Sequence, residues 1–155
     1  MDIEEKTFDA QDYIYVSGEA PMTDPAEIAK AMGAAFGQAF EFLGTAGISA
    51  MSPPISVYTE MPGERMTFRC GFFVSAEDAS KAEGGVAADQ LPAGKALHAL
   101  HVGPFTDMNQ THGAIWAHAK ANGLASAMPV WEIYIDDPNE TDEDQLRTEI
   151  YHLLG

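Results

Sequence analysis

The sequence predicts an α+β fold in which two pseudo-symmetric strand–helix–strand–strand (βαββ) units form one antiparallel sheet with two long helices on one face. Three features that occur twice, in the same order along the chain, lead to this prediction. They are Pro-x-Thr-Asp at 21–24 and 104–107, a strand pattern with proline and tyrosine at 54–58 and 129–134, and a strand pattern with arginine at 69–73 and 147–151. An internal repeat of this kind dictates the architecture of the whole chain.

The repeat places the two halves at about residues 11–75 and 94–154, within a single domain of residues 1–155. Each half alone is too short to build an ample core, whereas 155 residues suit one compact domain. The junction of two such halves is a natural position for a ligand cleft.

The first half contains start and stop signals for its elements. Residues 11–17 are rich in aromatic and branched side chains and predict a strand. Asp24 is suited to cap a helix, with Pro25 at the first helical position and Glu27 completing a capping box. The helix is expected to end at Gly44. Its apolar stripe, at helical spacing, consists of Ile28, Met32, Ala35, Phe36, Ala39, Phe40 and Leu43.

A hairpin and a linker follow this helix. Strand patterns at 55–60 and 66–75 flank Pro-Gly-Glu at 62–64, which is a turn signal. Residues 75–94 are mostly polar or small, and we interpret them as the linker between the two halves.

The second half repeats the plan of the first. A strand at 96–102 precedes a helix that Thr106 or Asp107 caps and that runs to Asn122-Gly123. The apolar stripe of this helix consists of Met108, His112, Ile115, Trp116 and Ala119. A loop of Asp, Pro, Asn, Glu and Thr then joins the two last strands, at 130–136 and 145–154.

The chain is strongly acidic, and this limits its partners. Eight Lys and Arg residues stand against twenty-four Asp and Glu, for a formal net charge of −16. Direct nucleic-acid binding needs a basic patch, so we do not expect it. The acidity fits solubility or a saline habitat, and steering of cationic ligands is the alternative.

The single cysteine, the N-terminal residues and the length of the apolar runs indicate the cellular compartment of the protein. Cys70 is the only cysteine, so no intrachain disulfide or thiolate metal cluster can form, and its apolar strand favours a buried structural thiol. The N-terminal residues lack the regions of a signal peptide, and no apolar run reaches membrane-spanning length. We expect a soluble cytoplasmic protein, with homodimerisation through a sheet edge or an apolar face left open.

Glu132 is the sharpest candidate for a functional residue. Strand alternation places Val130, Glu132 and Tyr134 on one face and their neighbours Trp131, Ile133 and Ile135 on the other. Neither face is polar, and a carboxylate among apolar residues must be paired, hydrogen-bonded or protonated. It is either a pocket acid that faces a ligand, or a structural residue in water or paired with Arg147 or Arg69.

The spacing of the histidines does not favour a metal site, whereas one histidine and several aromatic residues could line a ligand pocket. His98 and His101 lie on opposite faces of a strand, and His112 and His118 are six apart on a helix, so zinc is not expected. His112 alone falls on the apolar stripe, where it is either a buried hydrogen-bonded residue or part of a pocket wall. Aromatic residues that could line a cleft, or belong to the core, are Tyr58, Phe72, Phe105 and Trp116.

The second half resembles the GyrI-like effector-binding family. The residues that carry the resemblance are Gly-Pro-Phe at 103–105, His112, Ile115, Asn-Gly at 122–123, Pro129, Glu-Ile-Tyr at 132–134, Asp-Pro at 137–138, Leu-Arg-Thr-Glu-Ile-Tyr at 146–151 and Leu153. The first half, from Tyr13 to Val74, matches more loosely. The family includes the multidrug-binding domains of AraC- and MerR-type transcription regulators of bacteria and stand-alone small proteins, and the SOUL haem-binding fold is a relative.

The resemblance implies a fold and a site. It implies two βαββ units with a central cleft, in which the glutamate of Pro-x-x-Glu-x-Tyr meets lipophilic cations in an aromatic pocket; this glutamate is Glu132 here. His112 stands where the family often has an aromatic residue, which makes the pocket more polar. Regulators of this type also carry an N-terminal helix-turn-helix domain, for which this sequence has no counterpart, so we expect a stand-alone binding protein.

The sequence therefore predicts a protein that binds a bulky aromatic or lipophilic cationic molecule, without a cofactor or a metal. The predicted ligand-binding residues are Glu132, Tyr58, His112, Trp116 and Tyr134. Two alternatives stay open, because the resemblance also covers hydrolases that open strained cyclopropane-bearing toxins, with Glu132 as the catalytic residue, and gyrase-inhibiting proteins. Whether the chain is an enzyme is not decided at this point.

Overall fold

Eight strands of the protein form one antiparallel sheet in a computed structural model, which describes residues 2–155. Two long helices and one short helix accompany the sheet. In chain order the elements are β1 (Ile3–Phe8), β2 (Gln11–Pro21), α1 (Pro25–Ala46), β3 (Ile55–Tyr58), β4 (Arg65–Phe73), α2 (Ala76–Ala79), β5 (Ala87–Leu91), β6 (Gly94–Val102), α3 (Met108–Ala121), β7 (Ser126–Tyr134) and β8 (Arg147–Leu154). Short 3₁₀ turns at Phe105–Asp107 and Glu143–Gln145 precede α3 and β8.

The strand order has a two-fold pattern. It reads β1-β6-β8-β7-β3-β4-β2-β5, so β3 and β7 are the central strands. Going outward from the centre, β3 is followed by β4 and β2 on one side, and β7 is followed by the equivalent strands β8 and β6 on the other. Each edge strand pairs with the unit that it does not directly precede in the chain. Strand β1, which precedes the first unit, pairs with β6 of the second, and β5, which precedes the second unit, pairs with β2 of the first. The predicted α+β class with two βαββ units in one antiparallel sheet is confirmed.

The cross-strand register shows which residues share the helix-bearing face. One row of direct partners crosses seven strands, and it consists of Val16, Cys70, Ser56, Glu132, Ile150, Ala99 and Ile3. Helix α1 packs over the Val16 and Cys70 end of this row, and α3 packs over the Ile150 and Ala99 end. Both long helices therefore lie on one face, as predicted, and Ser56 and Glu132 lie in the middle of the row, between the strands that the helices cover.

The opposite face has a core of its own. Tyr13, Val57, Trp131 and Tyr151 are buried there although neither long helix packs on that side. The edge strands help to cover it, because Phe8 of β1 packs edge-on against the rings of Trp131 and Tyr151, at centroid distances of 5.8 and 5.0 Å. None of the helices in residues 2–155 is long and apolar enough to cross a membrane.

The start of α1 agrees with the sequence, but its end does not. The Asp24 carboxylate accepts a hydrogen bond from the backbone N–H of Glu27, at 3.1 Å, and Pro25 is the first helical residue. The helix passes through Gly44 and ends at Gly47, whose φ of +69° is left-handed and whose N–H bonds to the carbonyl of Leu43. The prediction that Gly44 ends the helix was wrong, because only Gly47 adopts the left-handed conformation that terminates a helix.

The segment between the halves is also more ordered than predicted. Residues 75–94 were interpreted as a linker, but they contain α2 and β5, and the latter pairs with β2 over five residues. Strand β1 likewise had no sequence signal that we recognised. Both are edge strands whose side chains are largely exposed, so their sequences lack the apolar alternation by which buried strands are detected.

Candidate functional site

Glu132 lies in the middle of β7 and faces the helices. Its neighbours Trp131 and Ile133 pack into the core of the opposite face, as the predicted strand alternation requires. The residue is 3% exposed. A carboxylate at this depth is stable only if hydrogen bonds replace the water that it has lost.

Two tyrosine hydroxyls supply hydrogen bonds to one carboxylate oxygen. Tyr134 donates to Oε1 of Glu132 at 2.6 Å, and Tyr58 donates to the same atom at 3.0 Å. The Tyr134 oxygen also lies 2.9 Å from Oγ of Ser56. Because the single Tyr134 proton goes to the carboxylate, the serine hydroxyl is the donor in that second contact.

Two histidines extend the network from the other carboxylate oxygen. Nε2 of His112 lies 2.7 Å from Oε2 of Glu132, and Nδ1 of His112 lies 2.7 Å from Nε2 of His152. The two imidazole rings are nearly parallel, with an angle of 21° between their planes and 5.0 Å between their centroids. Nδ1 of His152 is buried without a hydrogen-bond partner among the described residues. We call Tyr58, His112, Glu132, Tyr134 and His152 the Glu132 cluster.

Burial defines the protonation of most groups around the carboxylate. Burial and the Glu132 charge raise the pKa of Tyr58 and of Tyr134 well above the ordinary tyrosine value, so both remain hydrogen-bond donors at neutral pH. Burial raises the pKa of Cys70 to about 12. Burial and the neighbouring His112 lower the pKa of His152 to about 3, which keeps that ring uncharged.

Aromatic rings surround the Glu132 cluster. Phe36 of α1 and Phe105 pack edge-on against Tyr134, at centroid distances of 5.8 and 5.6 Å. Trp116 of α3 contacts the rings of His152 and His112, at 4.8 and 5.7 Å. Aromatic rings therefore pack against both the tyrosine and the histidine side of the hydrogen-bond network around Glu132.

All five predicted site residues meet in this one place. Tyr58, His112 and Tyr134 bond directly to Glu132, and the ring of Trp116 lies beside that of His112 at a centroid distance of 5.7 Å. The alternative in which Glu132 pairs with an arginine is wrong: the Arg147 guanidinium donates to Asp136, and that of Arg69 donates to Asp89 and Tyr13. Whether these residues bind a ligand stays a prediction.

Two residues of the site were not recognised in the sequence. His152 was not connected with Glu132, although strand alternation puts it on the same face as Ile150, the cross-strand partner of Glu132. Phe36 was assigned only to the apolar stripe of its helix. Alternation in β8 could have placed His152 on the helix face, but its contact with His112 depends on the register between β6, β8 and α3.

Two further histidines, both on β6, have structural contacts. His101 bonds to the Thr111 hydroxyl at 2.7 Å and to the Pro104 carbonyl at 3.0 Å, whereas His98, on the opposite face, packs on Tyr151. Within residues 2–155, no three His, Cys, Asp or Glu side chains are arranged to hold a metal ion.

The fold is a pseudo-symmetric α+β domain with a buried carboxylate at the centre of its sheet, and comparison with known proteins shows the family to which such a domain belongs. The profile of the family described as GyrI-like small molecule binding domain matches residues 1–154. The chain therefore belongs to the GyrI-like small-molecule binding domain family. Comparison with curated protein sequences gives no match.

Three solved structures illustrate the shared fold. The C-terminal domain of EcmrR has a TM-score of 0.78 and 19% identity, over 99% of this chain and 97% of that one. SAV2435, solved with bound tetraphenylphosphonium, has a TM-score of 0.67 and 11% identity, over 100% and 94%. A hydrolase encoded by lin2189 from Listeria innocua has a TM-score of 0.66 and 13% identity, over 99% and 92%. At these identities the likeness concerns the fold alone.

Proposed function

We propose that this protein is a receptor for bulky aromatic molecules, and for lipophilic cations above all, which it binds between α1 and α3 with Glu132 as the counter-charge. The observation that carries this proposal is the buried carboxylate at the centre of the sheet. Its hydrogen-bond partners among the described residues are two tyrosines and one histidine, without a lysine or arginine. Such a carboxylate can favour a cation that is poorly hydrated and therefore loses little on burial.

The aromatic lining suits the same class of ligand. Faces and edges of Phe36, Phe105, Trp116 and Tyr134 offer apolar burial and cation–π contact. Phe105 is 38% exposed, so it can move without opening the core beneath it. The net charge of −16 adds a long-range field that attracts cations at low ionic strength.

One similar structure supports the choice of a test ligand. SAV2435 shares the fold over 94% of its length and was solved with tetraphenylphosphonium, a permanent lipophilic cation. The same compound, together with uncharged triphenylphosphine oxide as a neutral probe of related shape, separates charge recognition from apolar burial.

The test compares Glu132→Gln with the wild type by calorimetry or fluorescence titration. We expect the substitution to weaken tetraphenylphosphonium binding at least tenfold, about 1.4 kcal/mol, and to change triphenylphosphine oxide binding much less. Glu149→Gln is the matched control, because Glu149 is a partly buried carboxylate of β8 on the opposite face. Equal losses for both probes, or no cation binding by the wild type, would contradict the proposal.

A second candidate function is hydrolysis of strained, cyclopropane-bearing alkylators. The observation that favours it is the continuous hydrogen-bond chain from His152 through His112 and Glu132 to Tyr134, which could deliver a proton to an opening ring and accept one from water. A hydrolase with the same fold, encoded by lin2189, is consistent with this candidate.

Turnover distinguishes the receptor from the hydrolase. The wild type and Glu132→Gln are incubated with a cyclopropane-bearing alkylator, and the molecular masses of the products are measured by mass spectrometry. Substrate hydrated by the wild type and not by the variant would make the protein an enzyme. Recovery of unchanged compound from a wild type that binds it would leave the protein a receptor.

A further inference from the structure

The two histidines of the Glu132 cluster, His112 and His152, can together carry either three or two protons on their ring nitrogens. The heavy atoms keep the same arrangement in both states. Each of the 2.7 Å contacts, His152 to His112 and His112 to Glu132, needs one proton between its two atoms. The unpartnered Nδ1 of His152 is a third position, and it is filled or empty without breaking either contact.

With the third proton present, the cluster is uncharged as a whole. Nδ1 of His152 then carries a hydrogen, and its Nε2 accepts from Nδ1–H of His112. The His112 ring also donates from Nε2 to Glu132, so it is an imidazolium paired with the carboxylate.

With the third proton absent, the cluster has a net charge of −1. His152 then donates from Nε2–H to Nδ1 of His112, which is neutral and still donates from Nε2–H to Glu132. The ring of His152 is uncharged in both states and changes only its tautomer, in agreement with the lowering of its pKa to about 3 by burial.

We propose that the His112–His152 pair gives the Glu132 site one exchangeable proton, so that a permanent cation binds in exchange for that proton whereas a neutral ligand binds without proton release. A bound cation favours the state of charge −1, since the imidazolium and the ligand would otherwise compete for one buried carboxylate. The released proton passes to the buffer. This inference rests on the proposed function and adds His112 as the residue that couples it to pH.

The other titratable groups facing the carboxylate do not supply the proton. From β3 and β7 these are Tyr58 and Tyr134, whose pKa values burial raises well above the ordinary tyrosine value. From β4 it is Cys70, whose pKa burial raises to about 12. Helix α1 presents Phe36, which does not titrate.

The experiment is calorimetric titration of the full chain with tetraphenylphosphonium and with triphenylphosphine oxide, at pH 6 and pH 8, in buffers of different ionisation enthalpy. We expect proton release with the cation, larger at pH 6 than at pH 8, and none with the neutral probe. The affinity for the cation then rises with pH, at most tenfold per unit. His112→Phe should bind the cation with no proton release, whereas His118→Asn, on the same helix, should behave as the wild type.

The outcomes separate the two proposals. Cation binding by the wild type without proton release, or unchanged release in His112→Phe, would overturn the proton exchange and leave the receptor function standing. No binding of either probe would overturn both. In the ligand-free protein, ¹⁵N spectra of the imidazoles should show the tautomer of His152 changing with pH, and a constant tautomer between pH 5 and 8 would also overturn the exchange.

Discussion

Ser56 and Glu132 are directly opposite each other on the two central strands, and they are also equivalent residues of the repeat, since each precedes a tyrosine of the Glu132 cluster by two positions. The pseudo-two-fold arrangement thus brings equivalent positions of the two halves into contact. One half contributes a carboxylate and the other a small hydroxyl, so the site holds a single carboxyl group.

Restoring symmetry at this pair should destabilise the fold in a pH-dependent way. In Ser56→Glu two buried carboxylates are neighbours, and one must take up a proton, so its pKa in the folded state rises. The folded state then binds more protons than the unfolded state, and stability falls as pH rises above about 4.3. Ser56→Gln has the same size without the charge. Urea unfolding should show Ser56→Glu less stable than Ser56→Gln by a few kcal/mol at pH 7 and by much less at pH 4; a constant difference would refute this.

Removing one of the tyrosine hydroxyls that donate to Glu132 should lower the free energy of unfolding. The size of the loss should depend on which polar groups are left without a hydrogen-bond partner. Tyr134→Phe removes the 2.6 Å bond to the carboxylate and leaves the Ser56 hydroxyl without its acceptor, whereas Tyr58→Phe removes only the 3.0 Å bond. We expect losses of about 1–3 kcal/mol, larger for Tyr134→Phe. Urea unfolding at pH 7 measures both, and the reverse order of the two losses would contradict the assigned donor roles.

Two glycine substitutions should have effects of opposite sign. A β-carbon at Gly71 would overlap the backbone carbonyl oxygen of Ile14 on the adjacent strand, so Gly71→Ala must separate β2 from β4. We expect a loss of at least about 3 kcal/mol, or no folded protein. A β-carbon at Gly37, within α1, meets nothing within 4 Å, and Gly37→Ala should stabilise by about 0.5–1 kcal/mol. Thermal unfolding distinguishes the two, and equal effects would contradict the packing.

His152 should make the protein sensitive to mild acid. Because burial lowers its pKa to about 3, the unfolded state binds a proton between pH 3 and about 6.5 and the folded state does not. The free energy of unfolding therefore does not depend on His152 above about pH 6.5. Below that pH it falls as pH falls, by at most about 1.4 kcal/mol per pH unit.

Denaturant unfolding between pH 4.5 and 7.5 measures this slope. His152→Gln, which does not titrate, should lose most of the dependence, while His118→Gln should retain the slope of the wild type. A slope that His152→Gln leaves unchanged would show that other groups cause the acid sensitivity.

The repeated motifs predicted the fold class because each marks a local structure. Asp24 and Pro25 begin α1 through backbone chemistry that needs no tertiary contact. Gly44 misled the prediction of the helix end, because a glycine within a helix costs only about 1 kcal/mol and packing of the stripe against β2 and β4 outweighs it. Strands β1 and β5 could not be predicted, since their pairing with the opposite unit is a property of the assembled sheet.

The sequence by itself determined the repeat, the class of fold and the residues that share a strand face with Glu132, since these follow from caps, turn residues and the two-residue period of a strand. Only the tertiary structure decided what Glu132 contacts. Tyr58 of β3 and His112 of α3 reach it across intervals of 74 and 20 residues, and their distances depend on register and helix position, which local sequence does not specify. The contact between His112 and His152 is of this kind: forty residues separate them along the chain, and the packing of α3 on the sheet brings the two rings together.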